Sequence, residues 1–508
     1  MAKYKKYNYS QNVLLPVSLS EQIAPGTLEF AIHTLVEYRM DMSRFDARFK
    51  NDETGRSAYN PRILLKIILL AYSRGIIHSR KIERECKRNV TFMALSCWQE
   101  PDHSTIAAFV SELKQEIKPL FRDVLLVCYE MGLLGGTEFS LDGLKLPSNA
   151  SRRWSGTFVQ LKEKKEKIER RVKYMLEEQI EADKEQGHDS KGQTKRAGYI
   201  ERLKKQAARI EDFLQDNEPK PGRQHKEVKS NVTDNESAMM RTTHGPVQGY
   251  NAQALVDSKH QVIVEAEVFG SGQDHHHLTP VVDGAKDNMK AIGKEDDYFK
   301  NAILTADTAY HSTDSIKKCE QEEIDAYIPD KEFRKRHPGL SVKESSKATR
   351  RRKFRREDFT YDETVDEYKC PEGKRLKLIT KKVKVVDGNF YRSYRADAQD
   401  CEGCIERAGC INKKGKAGKR RTLMVPIEGK GRNYSKEMAA KIDTDRARKL
   451  YPRRTAIVEP VFANIRTQKN LDEFTLRSKI KVNIQWLLYC MVHNIEKITN
   501  FGHDLAIE

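Results

Sequence analysis

The chain reads as an α/β protein assembled around interruptions. An α/β core follows an all-α amino-terminal domain, and is split first by a helical hairpin and then by a basic, cysteine-containing insertion. Three observations predict this. Apolar residues recur at helical spacing from residue 20 to 134, the mark of amphipathic helices. Short apolar runs bounded by turn residues follow at 137–146, 249–269 and 302–328, the pattern of strands joined through a helix. The stretches 158–216 and 330–444 depart from both patterns with charge-dense composition.

The charge balance narrows the function classes. The 508 residues carry 92 Lys and Arg against 74 Asp and Glu, a net charge of +18. A surface with basic stretches and plentiful acids points to a polyanionic partner, with DNA phosphates as the default reading. A membrane role is not expected, because the longest apolar run, residues 64–72, is broken by Lys66 and is too short to span a bilayer. The start, MAKYKKYNYSQN, lacks the apolar core of a secretory signal. Nine cysteines, an odd number scattered over the chain, fit a reducing compartment. A cytoplasmic, nucleoid-associated protein is expected.

The amino-terminal domain, 1–134, has clear helix signals. Thr27 can cap a helix carrying Leu28, Ala31, Ile32, Leu35 and Val36 on one face, and Asn60-Pro61 is a cap followed by proline at the first helical position. Short helices follow, with Arg74, Arg80, Lys81, Arg84, Lys87 and Arg88 among them. Asp102 or Ser104 then caps one long helix, TIAAFVSELKQEIKPLFRDVLLVCYEMGLL. Two readings stand level: a helix-turn-helix-like DNA reader, or an all-α interaction domain.

The first part of the core, 135–329, opens with the strand EFSLDGLKL, where Asp142 lies mid-run. Buried and unpaired, that charge would cost several kcal/mol; alternatively Asp142-Gly143 is a turn. Residues 158–216 place Leu161, Ile168, Val172 and Met175, then Leu203, Ala207, Ile210 and Leu214, at heptad spacing. They predict a helical hairpin inserted in the core. GYNAQALVD and QVIVEAEVF form a β-hairpin across SKH. Asp274 is expected to cap a helix from His275; His275 to His277 point in different directions on a helix and do not suit one metal. A strand then ends at Asp307, a place where α/β sheets bind ligands, although an N-cap role is the alternative.

The insertion, 330–444, holds two basic runs, RRRKFRR at 350–356 and KKGKAGKRR at 413–421. Between them lie Cys370, Cys401, Cys404 and Cys410. The C-x2-C pair suits a zinc knuckle with Cys370 as the distant ligand; free thiols are the alternative. The closing part, 445–508, carries Glu459 among Tyr451, Arg453, Arg454, Arg466 and Lys469, candidate DNA contacts. An acid so surrounded is usually a surface ion pair. Pro460 places it at a helix start or just before a bend. The apolar helix VNIQWLLYCMVHNI closes the chain against the sheet. Three carboxylates from separate elements, Asp142, Asp307 and Glu459, would together suit a two-metal site for phosphodiester chemistry.

Assembled, these residues resemble a DDE transposase of a bacterial insertion sequence over nearly the full length. The likeness runs through PDHSTIAAF, SLDGLKLPSNAS, GYNAQALVD, LTADTAYHS, the cysteine-bearing insertion, RRTAIVEPVFANIR and IQWLLYCMVHNIEKI. It implies a ribonuclease H-like core interrupted before the glutamate. It makes Asp142, Asp307 and Glu459 the catalytic triad holding two Mg²⁺ (or Mn²⁺) ions about 4 Å apart. Relatives surround the glutamate with Tyr, Arg and Lys. Here Tyr451, Arg454 and Arg466 stand there, with four residues rather than three between Arg454 and Glu459, and Arg453 as the substitute for Arg454. Implied too are cleavage at the element's ends, strand transfer into target DNA, and a homodimer in the synaptic complex. The alternatives are a nuclease of the same fold that does not join strands, and an inactive DNA-binding descendant of a transposase.

Overall fold

The computed structural model describes residues 18–48, 58–185, 190–222, 226–242, 245–337, 354–379, 384–386, 389–411, 420–427 and 432–502. They form two compact units. The first comprises residues up to 310, 319–326 and those from 452; the second comprises 311–318 and 327–451. Of the two basic runs, residues 350–353 and 413–419 lie outside the described residues.

The first unit opens with helices whose ends follow from their caps. The hydroxyl of Thr27 accepts from the Phe30 N–H at the start of α1 (Leu28–Thr34). Asn60 Oδ1 accepts from the Arg62 N–H ahead of α2 (Pro61–Ser73), with proline at its first position. α2 stops at Gly75, whose φ is +68°. Gly75 N–H bonds Tyr72 O and Ile76 N–H bonds Ala71 O, which is a Schellman ending. A Cβ at Gly75 would also collide with Asn470. Helices α3 (Ser79–Arg88), α4 (Val90–Leu95), α5 (His103–Glu112) and α6 (Ile117–Glu130) follow. The expected single long helix is therefore two. Continuous, it would carry Pro119 in its interior with the ring against the carbonyl of Gln115. Broken at 113–116, it places Pro119 in the first turn of α6, where a missing N–H costs nothing.

The core sheet is mixed. Strand β1 (Glu138–Pro147) lies between β3 (Gly245–Asp257), antiparallel to it, and β5 (Ile303–Ala306), parallel to it. β6 (Asp325–Tyr327) lies beyond β5. The far edge of β3 is shared by β2 (Ala238–Thr242) and β4 (Ile263–Phe269), both antiparallel. Helices α7 (Phe158–Glu185) and α8 (Ser190–Asp216) follow β1 and pair with each other. The heptad residues meet as predicted: Leu161 packs with Ile210 and Phe213, and Val172 and Met175 with Ile200 and Leu203.

Helix α9 (Leu278–Ala291) lies against β3 and β4. The chain closes with α10 (Arg453–Ala463) and α11 (Lys479–Phe501). α11 is buried along almost its whole length and packs against β4 and against α1, α2, α5 and α6. One apolar helix thus serves both the sheet and the amino-terminal helices. It also completes the edge of β4. The Asn494 side chain bonds both the N–H and the carbonyl of Ile263, and Asn483 Oδ1 accepts from Val268 N–H. Pairing an exposed strand edge in this way removes its unsatisfied groups. Among the described residues no helix is long and apolar enough to cross a membrane.

The second unit contains a sheet where the sequence showed only charge. Strands β7 (Thr360–Asp362), β8 (Glu367–Lys369), β9 (Arg375–Leu378), β10 (Lys384–Val386), β11 (Asn389–Ala396) and β12 (Thr422–Pro426) run in the order β7-β8-β9-β11-β10, with β12 also on β11. Phe359, Tyr368, Leu376, Tyr394 and Leu423 form its core. Most of these strands are only three or four residues long, too short for an alternating pattern to register.

Pro460 does not mark a helix start. It sits inside α10, which continues to Ala463 before a π-turn at Asn464–Gln468. Proline leaves the carbonyl four residues back without its helical donor. That carbonyl, Ala456 O, accepts instead from Gln261 Nε2 at 3.0 Å. Gln261→Ala is expected to destabilise the fold by about 0.5–1.5 kcal/mol. The loss should shrink in a Pro460→Ala background, where residue 460 again donates to Ala456. Thermal unfolding of the two single variants and the double variant measures this, and equal losses in both backgrounds would refute it.

Candidate active site

Asp142 occupies the middle of β1, paired opposite Ala254 of β3. The turn reading of Asp142-Gly143 is thereby corrected, since both residues are within a ten-residue strand. Gly143 serves a different need. The side-chain amide of Gln253, reaching from β3, lies across it, and any Cβ at 143 would collide with Gln253 and Asn251. The Asp142 carboxylate accepts from Gly143 N–H at 2.8 Å and from Arg454 Nη1 at 2.7 Å.

Asp307 follows directly on β5. The last paired rung sets Leu141 beside Ala306, so the next step along both strands brings Asp142 and Asp307 side by side on one face. The capping alternative also holds in part, for Asp307 Oδ1 accepts from Ala309 N–H at 2.7 Å. Burial pushes the Asp307 carboxyl above the usual carboxylate range. The charges of Asp142 and Asp274 add to that, while the Ala309 N–H and Arg454 oppose it. Two acids that repel each other in a half-buried place are the setting a divalent cation relieves.

Asp274 was expected to cap a helix; it is instead buried beneath the sheet's polar centre. It accepts from Lys145 Nζ at 2.9 Å, Asn251 Nδ2 at 2.5 Å and Gln253 Nε2 at 3.3 Å. Gln253 in turn accepts from the hydroxyl of Tyr310, a fully buried ring three residues after Asp307. The network therefore ties β1, β3 and the turn after Asp307 together. In the sequence the network leaves only a faint trace. The available signal was two amides, Asn251 and Gln253, two apart in a strand and thus on one face. His277 stacks on Phe269 with centroids 4.1 Å apart. Burial brings its pKa down to about 4, so its imidazole is neutral.

Glu459 is exposed on α10. It lies five residues past Arg454, about 140° around the helix from it. No ion pair among the described residues engages it, so the ion-paired surface reading does not describe it. Among the described residues no three His, Cys, Asp or Glu side chains are gathered so as to hold a metal.

The basic neighbours separate into different roles. Arg453 pairs with the buried Glu138 of β1 at 2.6 Å. Arg454 reaches Asp142, and Arg466 is exposed. Lys469 requires correction as a DNA contact. Its ammonium is wholly buried against Glu496 at 2.6 Å and also donates to Asn464, so it cannot reach a phosphate. Tyr451 belongs to the second unit, where its ring meets Phe333 with centroids 5.4 Å apart.

Also in the second unit, Cys370, Cys401, Cys404 and Cys410 line a single cavity, together with Arg421. All are free thiols. Burial pushes the Cys410 thiol up, the other three thiols add to this, and Arg421 opposes it.

Two family models match the chain. One, a transposase DDE domain, covers residues 369–499, which include Glu459 and the four cysteines. The other, a transposase domain (DUF772), covers residues 17–112 and so spans α1 to α5. No curated protein matches the chain.

Gly143 supplies the test of this geometry. Gly143→Ala is expected to destabilise the protein by about 1–3 kcal/mol through overpacking against Gln253. Gln253→Ala in the same chain should recover part of that loss. An unchanged melting temperature in Gly143→Ala would mean that the amide does not lie across the glycine.

Proposed function

We propose, for a chain that belongs to the DDE transposases of insertion-sequence type, that it cleaves DNA at the ends of its element and joins those ends to target DNA at a site built on Asp142 and Asp307. The observation that carries this reading is the parallel pairing of β1 with β5, whose last rung sets Leu141 beside Ala306 and so makes Asp142 and Asp307 the next residue along each path. The mixed sheet around them supports a ribonuclease H-like core, with 1–134, the hairpin 158–216 and 330–444 as its attachments.

The donors fit a hard divalent cation, Mg²⁺ or Mn²⁺, because both are carboxylates, and burial together with the charge of Asp142 raises the Asp307 carboxyl, which a cation would relieve. When bound, such ions supply Lewis-acid stabilisation of the phosphoryl oxygens. Asp142 and Asp307 would hold them. Glu459, exposed and without an ion pair among the described residues, lies on the helix that packs against β1 and would complete the set as its third carboxylate. Arg454 bridges from that helix to Asp142 and Arg453 to Glu138, so both guanidiniums orient α10 on β1. Arg466 is left to meet a phosphate as a planar fork. Hydrolysis at the element's end breaks the P–O bond and leaves a 3′-hydroxyl. That oxygen then attacks a target phosphorus as the target's own 3′-oxygen departs. Two copies acting together at paired ends complete the proposal.

Asp142→Asn, Asp307→Asn and Glu459→Gln are each expected to bind end DNA, keep the fold, and lose cleavage and joining by at least about 100-fold. Ca²⁺ should support binding with little chemistry. Near-normal cleavage by Glu459→Gln would assign the third ligand to another acid. A precut end separates this reading from a non-joining nuclease, which would cleave and yet fail to join it.

The same proposal includes a structural zinc. Four thiols around one cavity have the right donor chemistry, and Cys370, Cys401, Cys404 and Cys410 would close around the ion. Purified protein should carry about one zinc per chain, and Cys404→Ser should lose it and lower the melting temperature. Absence of bound zinc from protein purified without chelator would overturn this part alone.

A further inference from the structure

We infer that the exposed face of α3 is the surface that lies against duplex DNA, an inference that rests on the transposase reading and names its recognition element. At about 100° per residue, Arg80, Lys81, Arg84, Lys87 and Arg88 fall within about 120° of one another around the helix. All five are exposed. Ile82 and Cys86 stand on the opposite side and are buried at 1 % each. The apolar stripe holds α3 to its neighbours and leaves the cationic stripe facing outward.

This stripe is electrostatically unfavourable on its own. Arg80 and Arg84, and Arg84 and Arg88, are like charges one helical turn apart, an arrangement that weakens a helix. Among the described residues only Lys87 of the five has an ion-pair partner, Glu83. Elsewhere some such positions are neutralised. On the hairpin, Lys165 pairs with Glu211, Lys173 with Glu177 and Lys205 with Glu201. Glu83, the acid that could serve the stripe more widely, is turned aside to His103, bonding both its backbone N–H and its ring. Glu83, with Glu100 and Asp102 nearby, compensates Lys87, while Arg80, Lys81, Arg84 and Arg88 have no ion pair among the described residues, and an anionic partner would relieve their mutual repulsion.

The shape suits duplex DNA. Ten residues make a helix about 15 Å long and about 10 Å wide, which a major groove about 12 Å across admits. The entry angle is set by the glycine-terminated turn between α2 and α3. On the other side α3 packs against α4 and α5. The helix is therefore held firmly while its charged face stays free.

The test uses the full-length protein and two triple variants with equal loss of charge. One is Arg80→Gln/Arg84→Gln/Arg88→Gln on α3. The other is Lys167→Gln/Lys173→Gln/Lys205→Gln on the hairpin. Binding to a duplex carrying the element's end, and to a random duplex, is measured across a salt titration. The slope of log affinity against log salt should fall by about 2–3 in the α3 variant, close to 0.9 for each phosphate contact removed. Preference for the end sequence should fall with it, and the hairpin variant should change much less. The melting temperature of the α3 variant should hold or rise, because repulsion has been removed. An unchanged slope, or equal changes in both variants, overturns the inference. An unchanged slope in α3 alongside Asp142-dependent cleavage would sink this inference and leave the transposase reading standing. The converse, a lowered slope with no cleavage by the wild type, would do the opposite.

Discussion

The parallel pairing of β1 with β5 is the contact on which the candidate site depends, because two acids far apart in sequence each stand one residue past its last rung. That register is held from inside. Ser140 and Thr305, one residue pair before the last rung, share a buried hydroxyl hydrogen bond of 2.6 Å. A slip of one residue would bury a side chain meant for the opposite face and separate the aspartates. Asp142 also stands where β3 pairs on its other side, so the acid lies near the sheet's centre and is denied the freedom of an edge. Its position is consequently a property of the whole sheet.

The sheet in turn depends on α11. This helix lends side-chain amides to the edge of β4 and offers its remaining surface to the amino-terminal helices. The indole N–H of Trp486 donates to Gln253 O at 3.0 Å, so the same helix touches the strand that carries the buried polar network. The region that would read DNA and the region that would cut it are therefore parts of one compact unit. Buried polar groups are costly unless each is satisfied, and here the satisfaction is distributed: Asp274 is met from β1 and β3, Gln253 from Tyr310, and Ala456 O from Gln261.

What the sequence determined on its own is local. Caps at Thr27, Asn60 and Asp102, the hairpin GYNAQALVD/QVIVEAEVF, the paired heptads of α7 and α8, and the strand around Asp142 were legible, because each rests on residues within a few positions of one another. Tertiary structure decided whatever depends on a partner far along the chain. Gly143 looked like a turn residue, and only Gln253 crossing it from β3 shows why glycine is there. Lys469 looked like one more cation beside Glu459, yet Glu496 draws it into the interior. Asp274 looked like a cap until Lys145 and Asn251 were seen to claim it. Pro460 looked like the mark of a helix start or a bend until a donor from the loop before β4 satisfied the carbonyl it exposes. The strands of the second unit escaped notice because three or four residues carry too little periodicity, and it is packing of Tyr368, Leu376 and Tyr394 that makes them a sheet. Periodicity and capping act over one or two turns of chain, whereas register, burial of charge and the choice of ion-pair partner are set by distances in space that the order of residues does not contain.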